Sequence, residues 1–194
     1  KFWTRSTADR TPLSAVMVDI DFFKSINDNN GHAMGDEVLR QTGDLLQQLA
    51  RDQDVVCRYG GEEFAILMPG LRVDEAASAA ELIRRAISEL KFPKFSITVS
   101  IGLSAHELGA MNPQAMLEEA DQCLYVAKRN GRNQLVRFDT VSPDMLNEVA
   151  EGSPAAQTGN DSEVPAIPYS AVSALVSALS FRDHDTAAHS MRVS

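Results

Sequence analysis

Three carboxylates stand where an apolar pattern would not place them. Asp19 ends the near-continuous apolar run Leu13-Ser14-Ala15-Val16-Met17-Val18, and Glu62 and Glu63 follow Gly60-Gly61 between two apolar stretches. If the two stretches are neighbouring strands, these carboxylates converge at one edge of a sheet. Clustered carboxylates repel one another and lose hydration on burial. A hard divalent cation relieves both, and Mg2+ takes a few carboxylates together with phosphate oxygens. The Gly60-Gly61 pair lets a ligand approach the backbone without meeting a Cβ. Lys128 and Arg132 lie four residues apart, on one helical face or at its end, and by themselves read as basic surface residues. For the carboxylates the plainer alternative is a solvated turn with an incidental Glu-Glu pair.

The elements that must position these residues follow from the pattern. The first apolar run reads as a strand covered on both faces. Residues 22–27 predict a short helix ending near Asn29-Asn30-Gly31. Val38, Leu39, Leu45, Leu46 and Leu49 fall on one stripe of a second helix. Val55-Val56-Cys57-Arg58-Tyr59 and Glu63-Phe64-Ala65-Ile66-Leu67-Met68 predict a hairpin turning through Gly60-Gly61, since glycine accepts the positive φ of primed turns. Asp74 is the expected cap of a helix with Ala76, Ala80, Ile83, Ile87 and Leu90 inward. Phe95, Ile97, Val99 and Ile101 alternate as a strand. Asn112-Pro113 opens a helix with its stripe at Met116, Leu117, Ala120, Leu124 and Ala127, and Gly131 stops it. Leu135-Val136 offers a last short strand. Helices interleaved with a central hairpin imply an α+β fold, a mixed central sheet with helices packed on it, closest to the ferredoxin-like topologies.

The chain has 194 residues, of which 44% are hydrophobic and 23% charged. That is ordinary globular composition, which excludes wholesale disorder. No apolar run approaches the ~18 residues needed to span a bilayer, so no membrane segment is expected. A net charge of −9 argues against a nucleic-acid-coating protein. Cys57 and Cys123 sit in apolar segments and read as core residues of a reducing compartment, hence a cytoplasmic protein. Four of the eight prolines, Pro143, Pro154, Pro165 and Pro168, fall between 143 and 168. That segment reads as a linker.

Several blocks together carry a family resemblance. Arg58-Tyr59-Gly60-Gly61-Glu62-Glu63-Phe64 resembles the signature of the GGDEF domain of diguanylate cyclases, in its GGEEF form. Asp19-Ile20-Asp21-Phe22-Phe23-Lys24-Ser25-Ile26-Asn27-Asp28 and Gly31-His32-Ala33-Met34-Gly35-Asp36 resemble its other hallmarks. Ala120-Asp121-Gln122-Cys123-Leu124-Tyr125-Val126-Ala127-Lys128, continuing to Asn133, resembles its closing helix. The likeness covers about residues 2–138. It implies a palm-like nucleotidyl cyclase fold that condenses two GTP into cyclic di-GMP and releases two pyrophosphates. Two domains must then face each other in a homodimer.

By resemblance, Asp19, the Ile20 carbonyl and Glu62 hold Mg2+, with Mn2+ as a substitute, and Glu63 supports the cluster. Glu62 and Glu63 are the catalytic candidates. Asn27 and Asp36 read the guanine; an aspartate accepts from N1–H and the 2-amino group, and an amide both donates and accepts. Lys128 and Arg132 hold the phosphates, Lys24 is a further phosphate candidate, Phe22 and Phe23 belong to the substrate site, and Gly60 and Gly61 leave room for the nucleotide. His32 reads as structural. Arg51-Asp52-Gln53-Asp54 places Arg-x-x-Asp five residues before Gly60, which resembles the family's inhibitory product site, with Arg58 beside it. Arginine can fork onto guanine or phosphate; an ordinary ion pair is the alternative.

The expected division is a cyclase domain over 1–140, a linker over 141–168, and a stretch over 169–194 in which Arg182-Asp183-His184-Asp185-Thr186-Ala187-Ala188-His189-Ser190-Met191-Arg192-Val193 resembles the truncated opening of an HD or HD-GYP phosphohydrolase domain. The family's Asp-x-Leu-Thr segment, upstream of the first strand, is expected to be missing. In the HD-like stretch His189 resembles a metal ligand, but the His-Asp doublet that should follow is absent, so no hydrolase activity is expected. An apolar stripe at Val172, Leu175, Val176 and Leu179 predicts a helix over 169–180. The competing readings are a cyclase, a non-catalytic cyclic di-GMP receptor using Arg51 and Asp54, and a regulatory GTP-binding domain.

Overall fold

The computed structural model describes residues 2–142 and Met145. Most of the expected linker, the helix expected over 169–180 and His189 lie outside the described residues. The chain runs α1 (Phe2–Asp9), β1 (Leu13–Ile20), α2 (Phe23–Asn30), α3 (His32–Leu49), β2 (Val55–Gly60), β3 (Glu63–Pro69), α4 (Val73–Ser88), β4 (Val99–Ala105), α5 (Pro113–Arg129) and β5 (Leu135–Arg137). Short 3-10 turns follow β4 and β5. The sheet order is β2-β3-β1-β4-β5, and every pairing is antiparallel except β4 with β5.

β1 lies at the centre, with all eight residues buried. Its alternation sorts the core into two layers. Val16, Val18 and Ile20 face α2, α3 and α4 through Phe23, Ile26, Val38, Leu46, Ile83 and Ile87. Ala15 and Met17 face α5, where Met116, Ala120 and Leu124 meet them. By the period of two, Asp19 belongs to the α5 layer. α5 comes close because Gly102 on β4 has no side chain. A Cβ there would sit 1.9 Å from the Ala120 carbonyl oxygen and 2.3 Å from the Leu124 nitrogen.

Four expectations need correction. The hairpin turns through Gly61-Glu62 rather than Gly60-Gly61: Gly60 ends β2 opposite Glu63, and Gly61 alone has positive φ, +35°. An irregularity between Arg58 and Gly60 absorbs the odd residue. Asp74 does not cap α4. The cap position is Arg72, whose N–H donates to Glu75 Oε2 at 2.9 Å, and the Val73 N–H donates to Glu107 Oε1 at 2.7 Å. β4 begins at Val99, not near Phe95, because its partner β1 stops at Ile20 opposite Val99. Helix α1 has no counterpart in the predicted order; Phe2 and Trp3 pack on Leu13 and Met116. Asn112-Pro113 does open α5 as read, and the structure adds a cap: Asn112 Oδ1 accepts from the Ala115 N–H at 2.8 Å.

Candidate active site

The β1–β3 register places Asp19 opposite Glu63. The Ile20 N–H donates to the Glu62 carbonyl at 3.3 Å, so the turn residue Glu62 sits at the end of β1. From α5, Lys128 Nζ reaches Asp19 Oδ2 at 2.6 Å. Asp19 is only 4% exposed. Its burial pushes the carboxyl up to about 6, against the pull of Lys128 and with added repulsion from Glu62 and Asp21. Burial likewise pushes Glu63 up to about 7, with repulsion from Asp19, Asp121 and Glu62. The cluster is short of positive charge.

Among the described residues no three His, Cys, Asp or Glu side chains already converge as a metal cage. The donor chemistry nonetheless fits a hard cation: carboxylates that raise one another's pKa, and a lysine already drawn onto one of them. Asp19, Glu62 and Glu63, with the Ile20 carbonyl, are the residues that would hold it.

The nucleotide candidates lie on α2, on α3 and at the C-terminal end of α5, with Phe22 and Arg132 in the loops beside them. Phe22 follows β1 in a left-handed conformation, φ +57°, and is 62% exposed. Phe23 is buried in the core, which separates it from its neighbour. The Arg132 guanidinium stacks 4.4 Å over the Phe22 ring. Arg132 lies beyond the end of α5, so it does not share a helical face with Lys128. Lys24 and Asp36 are exposed, and His32 is an exposed residue opening α3. Asn27 Oδ1 is buried with no protein partner. Gly35 lies against it, where a Cβ would come within 1.9 Å of that oxygen. An orphaned acceptor beside Asp36 suits a donor edge brought by a ligand. In front of Gly60 and Gly61 the space is open: a Cβ on Gly60 would meet only Glu63 Oε2, at 3.9 Å.

The Arg-x-x-Asp pair is closed on itself. Arg51 Nη2 reaches Asp54 Oδ1 at 2.6 Å and the Pro69 carbonyl at 3.0 Å, and the Arg51 N–H donates to Asp54 Oδ2 at 2.9 Å. The Asp54 side chain is 3% exposed and that of Arg51 36%. Arginine thus presents the accessible group, and aspartate orients it. The pair borders a cavity of about 190 Å³ lined by Leu46, Leu49, Met68 and Ile83. Arg58 donates to the Gly61 carbonyl at 2.9 and 2.6 Å and pins the hairpin tip.

Two residues without an assigned role also belong here. Asp121 adds to the repulsion on Glu63 and is itself pushed up by burial. Its spacing of seven from Lys128 places both on one side of α5 and was the available signal. Asp21 is 3% exposed and lies two residues past Asp19, just beyond the end of β1.

A family model described as diguanylate cyclase, GGDEF domain, matches residues 1–134. The chain belongs to the GGDEF family. The response regulator PleD of Caulobacter vibrioides is 44% identical over 138 residues, 68% of this chain and 30% of that protein. Diguanylate cyclase A of Treponema denticola is 39% identical over 127 residues, 63% of this chain and 34% of that protein. The chain therefore spans about a third of these relatives. Among solved structures, the active GGEEF domain of a Vibrio cholerae diguanylate cyclase is 38% identical with a TM-score of 0.68, covering 71% of this chain and 89% of that one. The GGDEF domain of DgcB from Caulobacter crescentus, in complex with c-di-GMP, is 32% identical with a TM-score of 0.67, over 72% and 85%. The palm-like α+β fold read from the sequence is thereby shown. Among the described residues of this GGDEF domain, no helix is long and apolar enough to cross a membrane.

Proposed function

We propose that this GGDEF domain is a diguanylate cyclase that condenses two GTP into cyclic di-GMP. The observation that carries the reading is the register of Asp19 against Glu63, with Glu62 at the tip and Lys128 above. It concentrates charge-seeking oxygens beside open space over Gly60 and Gly61. A pure receptor has no need of such a cluster.

Each domain binds one GTP. Asn27 and Asp36 take the guanine, and Lys24, Lys128 and Arg132 the phosphates. Bound at Asp19, Ile20, Glu62 and Glu63, Mg2+ (or Mn2+) would supply Lewis-acid polarisation and charge neutralisation. Two domains face each other, so that the 3′-hydroxyl of one GTP lies in line with the α-phosphorus of the other. A P–O bond forms, the bond to the β-phosphate breaks, and pyrophosphate leaves. Glu62, at the hairpin tip, would take the hydroxyl proton or serve the metal as a ligand. Lys128, whose ammonium lies 2.6 Å from Asp19 Oδ2, would serve the leaving phosphates. Repetition with the roles exchanged closes the ring. Arg51, held by Asp54, receives the product and restrains turnover.

The test is incubation of the protein with GTP and Mg2+ and chromatography of the products. Cyclic di-GMP should form and slow its own synthesis, and Arg51→Ala should relieve that slowing. Unchanged GTP, or GDP alone, overturns the reading.

A further inference from the structure

Asp21 is a buried carboxylate, and among the described residues no ion pair to it is formed. Both of its oxygens are satisfied by neutral donors from distant parts of the chain. Ser100 Oγ donates to Oδ1 at 2.6 Å, Thr98 Oγ1 to Oδ2 at 2.7 Å, and the Asn133 backbone N–H to Oδ2 at 3.0 Å. The Asp21 N–H in turn donates to the Thr98 carbonyl at 2.9 Å. Burying a charge on neutral donors is costly, and a satisfied apolar residue would stabilise the fold as well. What the carboxylate supplies is a tie between three segments: the end of β1, the start of β4 and the loop after α5.

That loop needs a tie. Gly131, Arg132 and Asn133 have φ of +106°, +63° and +46° in succession. The two that are not glycine each carry strain on the order of 1–3 kcal/mol, which persists only where contacts over-determine it. Those contacts are the Arg132 N–H on the Ala127 carbonyl at 3.0 Å, Arg84 on Asn133 Oδ1, and Asn133 N–H on Asp21. Phe22, next to Asp21, is left-handed as well. The two residues in the Phe22–Arg132 stack are therefore chain neighbours of the two ends of the Asp21–Asn133 bond.

We infer that Asp21 is a positioning residue that presets the Arg132 guanidinium over Phe22, ready for a nucleotide's phosphates. The inference rests on Arg132 serving the phosphates in the proposed function. Asp21→Asn would turn an amide N–H toward donors and release the loop. Arg132 would still be present but would search more orientations, so phosphate affinity falls while guanine recognition does not.

The experiment is a double-mutant cycle read by calorimetric binding of 3′-deoxy-GTP, which lacks the attacking hydroxyl, with guanosine as the control. Asp21→Asn should weaken 3′-deoxy-GTP about tenfold, the equivalent of one lost charge-assisted hydrogen bond, and leave guanosine unchanged. In an Arg132→Ala background the same change should cost less than twofold. If Arg132→Ala weakens binding but Asp21→Asn adds its full effect on top, or weakens guanosine equally, the positioning role is wrong. If Arg132→Ala itself leaves 3′-deoxy-GTP untouched, the phosphate role of Arg132 is what fails. Should Asp21→Asn not fold, Thr98→Val removes one donor to the same oxygen at nearly constant shape. It should weaken 3′-deoxy-GTP two- to threefold, again only when Arg132 is present; equal loss with and without Arg132 overturns the inference.

Discussion

Asp19 on β1 and Glu63 on β3 are direct partners in an antiparallel ladder, so their side chains rise from the same face of the sheet. Lys128 descends onto Asp19 from α5. The ladder thus forces together two carboxylates that both gain from a cation, and the fold provides one ammonium between them. Removing that ammonium, Lys128→Ala, should lower stability by about 2 kcal/mol, since Asp19 is buried and its partner only partly exposed. Thermal unfolding in chelator should show a Tm several degrees lower, and excess Mg2+ should restore more of it than in the parent. An unchanged Tm would mean that the 2.6 Å pair contributes nothing.

The same repulsion predicts a pH signature. Burial, with neighbouring charge, pushes Asp19 up to about 6 and Glu63 up to about 7 from 3.8 and 4.5. Between roughly pH 4 and 7 the folded chain therefore holds more protons than the unfolded one. Stability falls as pH rises through that window. Without metal, these two groups should make Tm lower at pH 8 than at pH 5. Glu63→Gln should flatten the slope, and added Mg2+ should raise Tm more at pH 8. A slope identical in Glu63→Gln would show that Glu63 is not the group titrating.

Gly102 and Gly43 should respond to alanine with opposite signs. At Gly102 the new Cβ meets the α5 backbone at 1.9 and 2.3 Å, which cannot give way locally. α5 must lift, carrying Lys128 away from Asp19, and stability should fall by about 3 kcal/mol or more. At Gly43, inside α3, the Cβ meets only Phe64 Cε1 at an ordinary 3.6 Å. Helix propensity then wins, and Gly43→Ala should stabilise by about 0.5–1 kcal/mol. Denaturant titration of both variants decides the pair.

The apolar runs and the carboxylates at their ends were legible in the sequence because strand period and helix stripe are local signals. So was the start of α5 at Asn112-Pro113. The hairpin tip was misread by one residue, since which glycine carries the positive φ depends on the irregularity at Arg58, a pairing property. Phe95 and Ile97 alternate like a strand, yet they have no partner once β1 ends at Ile20. Asp21 has no local signal for its role, which depends on the long-range bonds to Thr98, Ser100 and Asn133. The closed Arg51–Asp54 pair likewise depends on Pro69, brought in by β3.

The most direct test of the central claim is the initial rate of cyclic di-GMP formation by Glu62→Gln at saturating GTP and Mg2+. Circular dichroism should report an unchanged fold. The substitution keeps the side chain's shape and removes the charge that would bind metal or accept the hydroxyl proton. The rate should fall at least about a hundredfold, the scale of losing general-base or metal assistance. A folded variant turning over within twofold of the parent would contradict the assignment of Glu62 to the chemistry.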